Sequence, residues 1–146
     1  MRNVFLRISV FFTDSKMVLR VKRAIDIAMT NYTEIIGFSV FTYEGKVAYA
    51  SDNMNISEEI PTIIQAWNGL LQQFILKGVS FLSALTTSQG FVAINPDGAV
   101  CFICGTGKGV WFVSVFAPMD VNKEGILREC IQAAKNLEAA VSIFDV

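Results

Sequence analysis

The segment that most limits what this chain can become is residues 35–51, two apolar runs joined by Tyr43-Glu44-Gly45-Lys46. Ile36, Phe38, Val40 and Thr42 alternate with Gly37, Ser39, Phe41 and Tyr43, the period of a strand. Gly45 supplies the positive φ that a tight hairpin turn needs. Helical spacing flanks this hairpin on both sides. Strand-like runs over 80–87, 91–95, 99–104 and 110–117 then follow. They are divided by Gln89-Gly90, Asn95-Pro96-Asp97-Gly98 and Gly105-Thr106-Gly107-Lys108-Gly109, and a last helix runs from about Val121 to Phe144. The expectation is an α+β fold with a single antiparallel sheet and helices on both faces, ordered helix, two strands, helix, three strands, helix. With 36–42 and 46–51 the strand runs number up to six, or five if one of the middle runs merges with a neighbour.

At 146 residues the chain has the length of one domain. The domain pattern is clear from residue 17 to 146, and 1–16 form an apolar, basic extension. Its 53% hydrophobic content, 17% charged content and mean hydropathy of +0.48 are apolar for a soluble domain. No run approaches the 18 apolar residues of a spanning helix. The surplus therefore predicts burial against a second copy or a partner protein.

The formal net charge is −1, but residues 1–23 carry six basic side chains against Asp14. Basic charge confined to one end lacks the broad, aromatic-studded face of a nucleic-acid binder. It fits a solvated helix face, with attraction to anionic lipid or an acidic partner as the less favoured reading. Within 1–12 the pattern fits a strand (Val4, Leu6, Ile8, Val10, Phe12) as well as a helix (Val4, Phe5, Ile8, Phe11, Phe12). Arg7 interrupts the apolar run, which argues against a secretory signal. From Asp14 or Ser15 as N-cap, a helix carrying Val18, Val21, Ile25, Ala28 and Met29 on one stripe is expected to end near Asn31.

The chain has no histidine and three cysteines. That removes Ser-His-Asp and Cys-His catalysis and His-containing metal sets. Cys101 and Cys104 are three apart on a predicted strand, so their sulfurs face opposite sides. With Cys130 they read as buried, reduced thiols suited to the cytoplasm. Gly105–Gly109 fails the phosphate-loop pattern, since Phe102 and Gly109 stand where glycine and Ser/Thr are required. It reads as a hairpin turn or partner-contacting loop with Lys108 at its tip. Asp52, Asn53 and Asn55 lack the spacing of a calcium loop. No catalytic residue, cofactor or metal is expected.

A central helix over 58–77 is predicted, with Pro61 in its first turn, Glu58 and Glu59 at its positive end, and Gly78 at C′. Ile60, Ile63, Ile64, Trp67, Leu70, Leu71, Phe74 and Ile75 recur at helical spacing, a stripe too broad for one sheet face. A dimer or partner interface is therefore expected at Ile60, Ile63, Ile64, Trp67, Leu70, Leu71 and Phe74, with Trp67 as anchor. Tyr43, Tyr49 and Trp111 read as core or interface aromatics.

This order of elements resembles the roadblock family of dynein-associated light chains and small-GTPase regulators, a roadblock/profilin-like fold. The resemblance rests on Gly37-Phe38-Ser39-Val40, Glu44–Ser51, the 58–77 helix and Phe112–Pro118 leading into the last helix. It implies a non-catalytic, cytoplasmic adaptor. Such an adaptor pairs with itself or a second roadblock-like chain, central helices together and sheets edge to edge, and binds a small Ras-like GTPase. Outside residues 1–23 the only arginine is Arg128, so an arginine finger is not indicated. Two other classes stand beside this one: a PAS- or GAF-type small-molecule sensor, and a peripheral membrane adaptor using the basic N-terminus.

Overall fold

Period-two alternation gives this chain a sheet that is apolar on both faces, and the helices are distributed accordingly. A computed structural model describes residues 8–10, 22–23, 25–27 and 30–140. Its strands are β1 (Ile8–Val10), β2 (Gly37–Thr42), β3 (Val47–Ser51), β4 (Gln73–Leu76), β5 (Val79–Thr86), β6 (Gly90–Ile94), β7 (Val100–Thr106) and β8 (Trp111–Pro118). They form one sheet in the order β1-β3-β2-β8-β7-β6-β5-β4, antiparallel throughout. The helices are α1 (Ile60–Trp67), α2 (Lys123–Ala140) and the helical residues among 22–30.

On one face Phe38, Val40, Val92, Ile103, Trp111, Val113 and Val115 pack with Ile25 and with Ile126, Cys130, Ala134 and Leu137 of α2. The alternate residues Phe41, Phe81, Phe91, Phe102, Phe112 and Phe116 point the other way and pack under α1 through Ile60, Ile63 and Trp67. Close approach matters at one glycine in particular. A Cβ on Gly105 would lie 2.6 Å from the backbone nitrogen of Ile131, so α2 can rest on β7 only because no side chain intervenes.

The β2–β3 hairpin forms as its sequence predicts, with Gly45 at φ +89°. A bulge leaves Ala48 unpaired between the Val40–Tyr49 and Phe41–Val47 partners. β1 pairs with β3, so part of the N-terminal extension is a strand that covers a sheet edge. Val18, Val21, Ala28 and Met29, like the stretch beyond Ala140, lie outside the described residues.

Two expectations are corrected. The sheet has eight strands instead of five or six, because β1 and β4 join it. The central helix does not run from 58 to 77 but stops at Trp67. Its end is chemically specified: Gly69 has φ +82°, the Leu70 N–H donates to Gln65 O (2.9 Å), and the Gly69 N–H donates to Ala66 O (3.1 Å). These are the two bonds of a Schellman cap, which Asn68-Gly69 provides and a helix continued to 77 cannot. From there the period changes to two: Phe74 and Leu76 are buried, Gln73 and Ile75 exposed, and Gly78 turns a two-residue hairpin with Lys77. Lys77 takes φ +51°, and its N–H donates to the Glu59 carboxylate while its Nζ donates to Asn55 O at 3.2 Å. Glu59 thus pins the β4–β5 turn.

Gly69→Ala should destabilise the fold by about 1 kcal/mol in urea denaturation, because an L-residue must hold a left-handed conformation there. An unchanged midpoint would contradict the capping role.

Candidate functional site

Between Ile60 and Pro96, a stretch of 37 residues, Lys77 is the only charged side chain. The structure gathers much of that stretch at one end of the sheet. α2 lies over β7 and β8 and reaches β6, which leaves β5 and β4 beyond it. Leu82 is paired with Ile94 and Leu85 with Val92, so both leucines lie on the α2 side; the bulge between Ser83 and Leu85 puts residues three apart on the same face. Ile75 is paired with Ser80, which shares that face with Leu82. Ile75 is 62% exposed, Leu85 43% and Leu82 38%, and Leu70, in the connection from α1, is 71% exposed.

The polar groups of this face are already engaged. Gln73 Nε2 donates to Ser80 Oγ at 2.9 Å, and Asn95 Nδ2 to Ser80 O at 3.0 Å. What remains is an apolar sheet end with a neutral polar rim. β4 is its outer strand, and sheet edges usually carry charge to discourage pairing. Ile75, Leu82 and Leu85 are the large apolar side chains left exposed on these two strands.

The interface expected from the sequence divides in two. Ile60, Ile63, Trp67 and Phe74 are buried in the chain's own core, whereas Ile64 and Leu71 are half-buried and Leu70 is open to solvent. Trp67 stacks on Phe91 at 5.6 Å, meets Phe112 edge-on at 5.7 Å, and its Nε1–H donates to Thr87 O at 2.7 Å. An indole packed against two rings with its N–H satisfied and 9% of its surface exposed belongs to the core. Ile75, Leu82 and Leu85 are the residues that helical periodicity misplaces or passes over. The signal that could find them is the scarcity of charge across 60–96, where Lys77 stands alone.

Tyr43 is exposed and borders a cleft of about 380 Å³ with Ile64, Trp67, Asn68 and Phe112. Tyr49 and Trp111 are buried, and burial beside Asp26 raises the Tyr49 pKa. Cys101 packs on the α2 side and Cys104 on the α1 side, opposed as strand geometry requires, and both are free thiols, as is Cys130. Burial raises all three thiol pKa values, Cys130 to about 12 with Glu129 adding to the effect. Among the described residues no group of His, Cys, Asp or Glu could hold a metal, and no helix is long and apolar enough to cross a membrane.

No family model and no curated protein matches the chain by sequence. Solved structures do match its fold. LokiProfilin2, in a complex with rabbit actin, superposes with a TM-score of 0.73 at 14% identity, covering 88% of this chain and 100% of that one. Acanthamoeba castellanii profilin IA gives 0.64 at 11% identity over 80% of this chain and 95% of that one. Myxococcus xanthus MglB, a roadblock-family protein, gives 0.53 at 9% identity over 91% and 98%. At these identities the likeness shows the fold, which is profilin/roadblock-like.

The cysteines generate a prediction. A thiol with a raised pKa stabilises the fold fully below the unfolded value of 9.0, and that contribution is lost as pH rises toward about 12. Denaturation midpoints should therefore fall above about pH 9. At pH 8 a thiol reagent should modify the three cysteines only after unfolding, and rapid labelling of the native chain would contradict their burial.

Proposed function

We propose that this chain is a non-catalytic, cytoplasmic protein-binding module that docks an actin-type partner on the uncovered face of β4 and β5. The observation that carries the reading is the apolar sheet end formed by Ile75, Leu82 and Leu85, where Lys77 at the turn is the only charge on the two strands and their connection, on a fold that matches an actin-bound chain over nearly its whole length. A partner covering it would remove large apolar side chains from water without desolvating a charge, and such apolar centres dominate protein interfaces. Lys77 at the β4–β5 turn stays exposed beside this face and can steer association.

A second reading is a regulator or scaffold of a small Ras-like GTPase, favoured by the fold match to MglB and by the element order of the sequence. A homodimer, or pairing with a second roadblock-like chain, belongs to this reading. Its contacts would fall on Ile64, Leu70 and Leu71, because Ile60, Ile63, Trp67 and Phe74 are already packed inside.

Both readings meet the same experiment. The native chain should bind monomeric actin and slow its polymerisation, and Leu82→Asp combined with Leu85→Asp should weaken binding at least about tenfold while leaving the melting temperature nearly unchanged. Binding to Ras-like GTPases from the same source, with actin ignored, would favour the second reading. Unchanged actin affinity in the double variant would remove β5 from the docking face.

A further inference from the structure

The loop 107–110 between β7 and β8 is organised around a single carboxylate. Glu138, close to the C-terminal end of α2 as described, accepts the Lys108 N–H at 2.9 Å on Oε1 and 3.1 Å on Oε2. Its Oε2 also accepts the Val110 N–H at 3.0 Å and the Trp111 N–H at 3.1 Å. The Gly109 N–H between them donates to Thr106 Oγ1 at 2.9 Å, and the other three backbone amides converge on one point, as in an anion-binding concavity. Glycine at 107 leaves room for the oxyanion: a Cβ there would lie 2.0 Å from Glu138 Oε1 and the carboxylate would have to shift. Lys108 adds a cation to the loop, and the stem of Lys135 lies 2.9 Å from the same Gly107 position.

The Glu138 carboxylate is half-buried and held by hydrogen bonds to one loop.

We propose that the β7–β8 loop is an oxyanion cradle in which Glu138 is a resident, displaceable occupant, and that phosphate is the external ligand it takes when Glu138 withdraws. Three backbone N–H donors with Lys108 and Lys135 beside them suit a phosphate better than a carboxylate, since phosphate offers more acceptor oxygens and up to two negative charges. As a tethered group, Glu138 competes at high effective concentration, so the native chain keeps the cradle closed to free phosphate. This site does not depend on the reading of the β4–β5 face.

The test is a titration of the full chain with inorganic phosphate, at constant ionic strength against chloride, following the backbone amide resonances of Lys108, Val110 and Trp111. In Glu138→Ala these three should move together and saturate with a dissociation constant of about a millimolar, at least about tenfold tighter than in the native chain. Adding Lys108→Ala should weaken that binding a few-fold. Should Glu138→Ala not fold, Glu138→Gln is titrated instead and should bind phosphate more tightly than the native chain, since it keeps the shape and gives up the charge. Amides that stay in place in the folded variant, or that move equally in variant and native chain, would overturn the proposal.

Discussion

A sheet that is apolar on both faces has to be covered on both, and here its width exceeds what its helices can cover. Eight strands at about 4.8 Å span about 34 Å, whereas one helix with its side chains is about 10 Å across. On the α2 side two helical segments, α2 and the one carrying Ile25, cover the middle of the sheet. The two outermost strands, β5 and β4, extend past that cover. Part of the apolar surplus in the composition therefore stays exposed there, at Ile75, Leu82 and Leu85, besides Ile27, Ile36, Tyr43 and Leu70 elsewhere.

The other face closes more completely because it is built from aromatics. Phe81, Phe91, Phe102 and Phe116 meet one another at centroid distances of 5.7–6.5 Å, with Trp67 extending the cluster to Phe112. Large rings fill the space beneath an eight-residue helix that could not by itself shield four or five strands. Exposed apolar side chains at one end of one face and an aromatic core on the other follow from the same alternation of side chains.

Much of this was legible in the residues. The β2–β3 hairpin follows from alternation and Gly45, the opposed cysteines from strand geometry, and the two-faced sheet from the order of elements. The error lay in reading 60–75 with one period throughout. Ile60, Ile63 and Trp67 keep helical spacing, but Phe74 and Ile75 also fit that spacing while obeying a strand. Only Asn68-Gly69 marks the change. A left-handed glycine is a common helix terminator, yet a lone glycine inside an apolar helical stripe is also tolerated at modest cost. Trp67 is buried against Phe91 and Phe112 for a reason that helical spacing alone does not carry, since those rings come from strands twenty or more positions away. The cradle around Glu138 was not legible at all, since it joins residues about thirty positions apart through backbone amides, whatever their side chains.

The claim that matters most is that the apolar end of the sheet is where a partner sits. Hydrogen–deuterium exchange of the chain, alone and saturated with monomeric actin, tests it most directly. The account predicts added protection over β4 and β5, residues 73–86, with α1 little changed. Protection confined to β1 and β3, or to the helical residues 22–30, would contradict it.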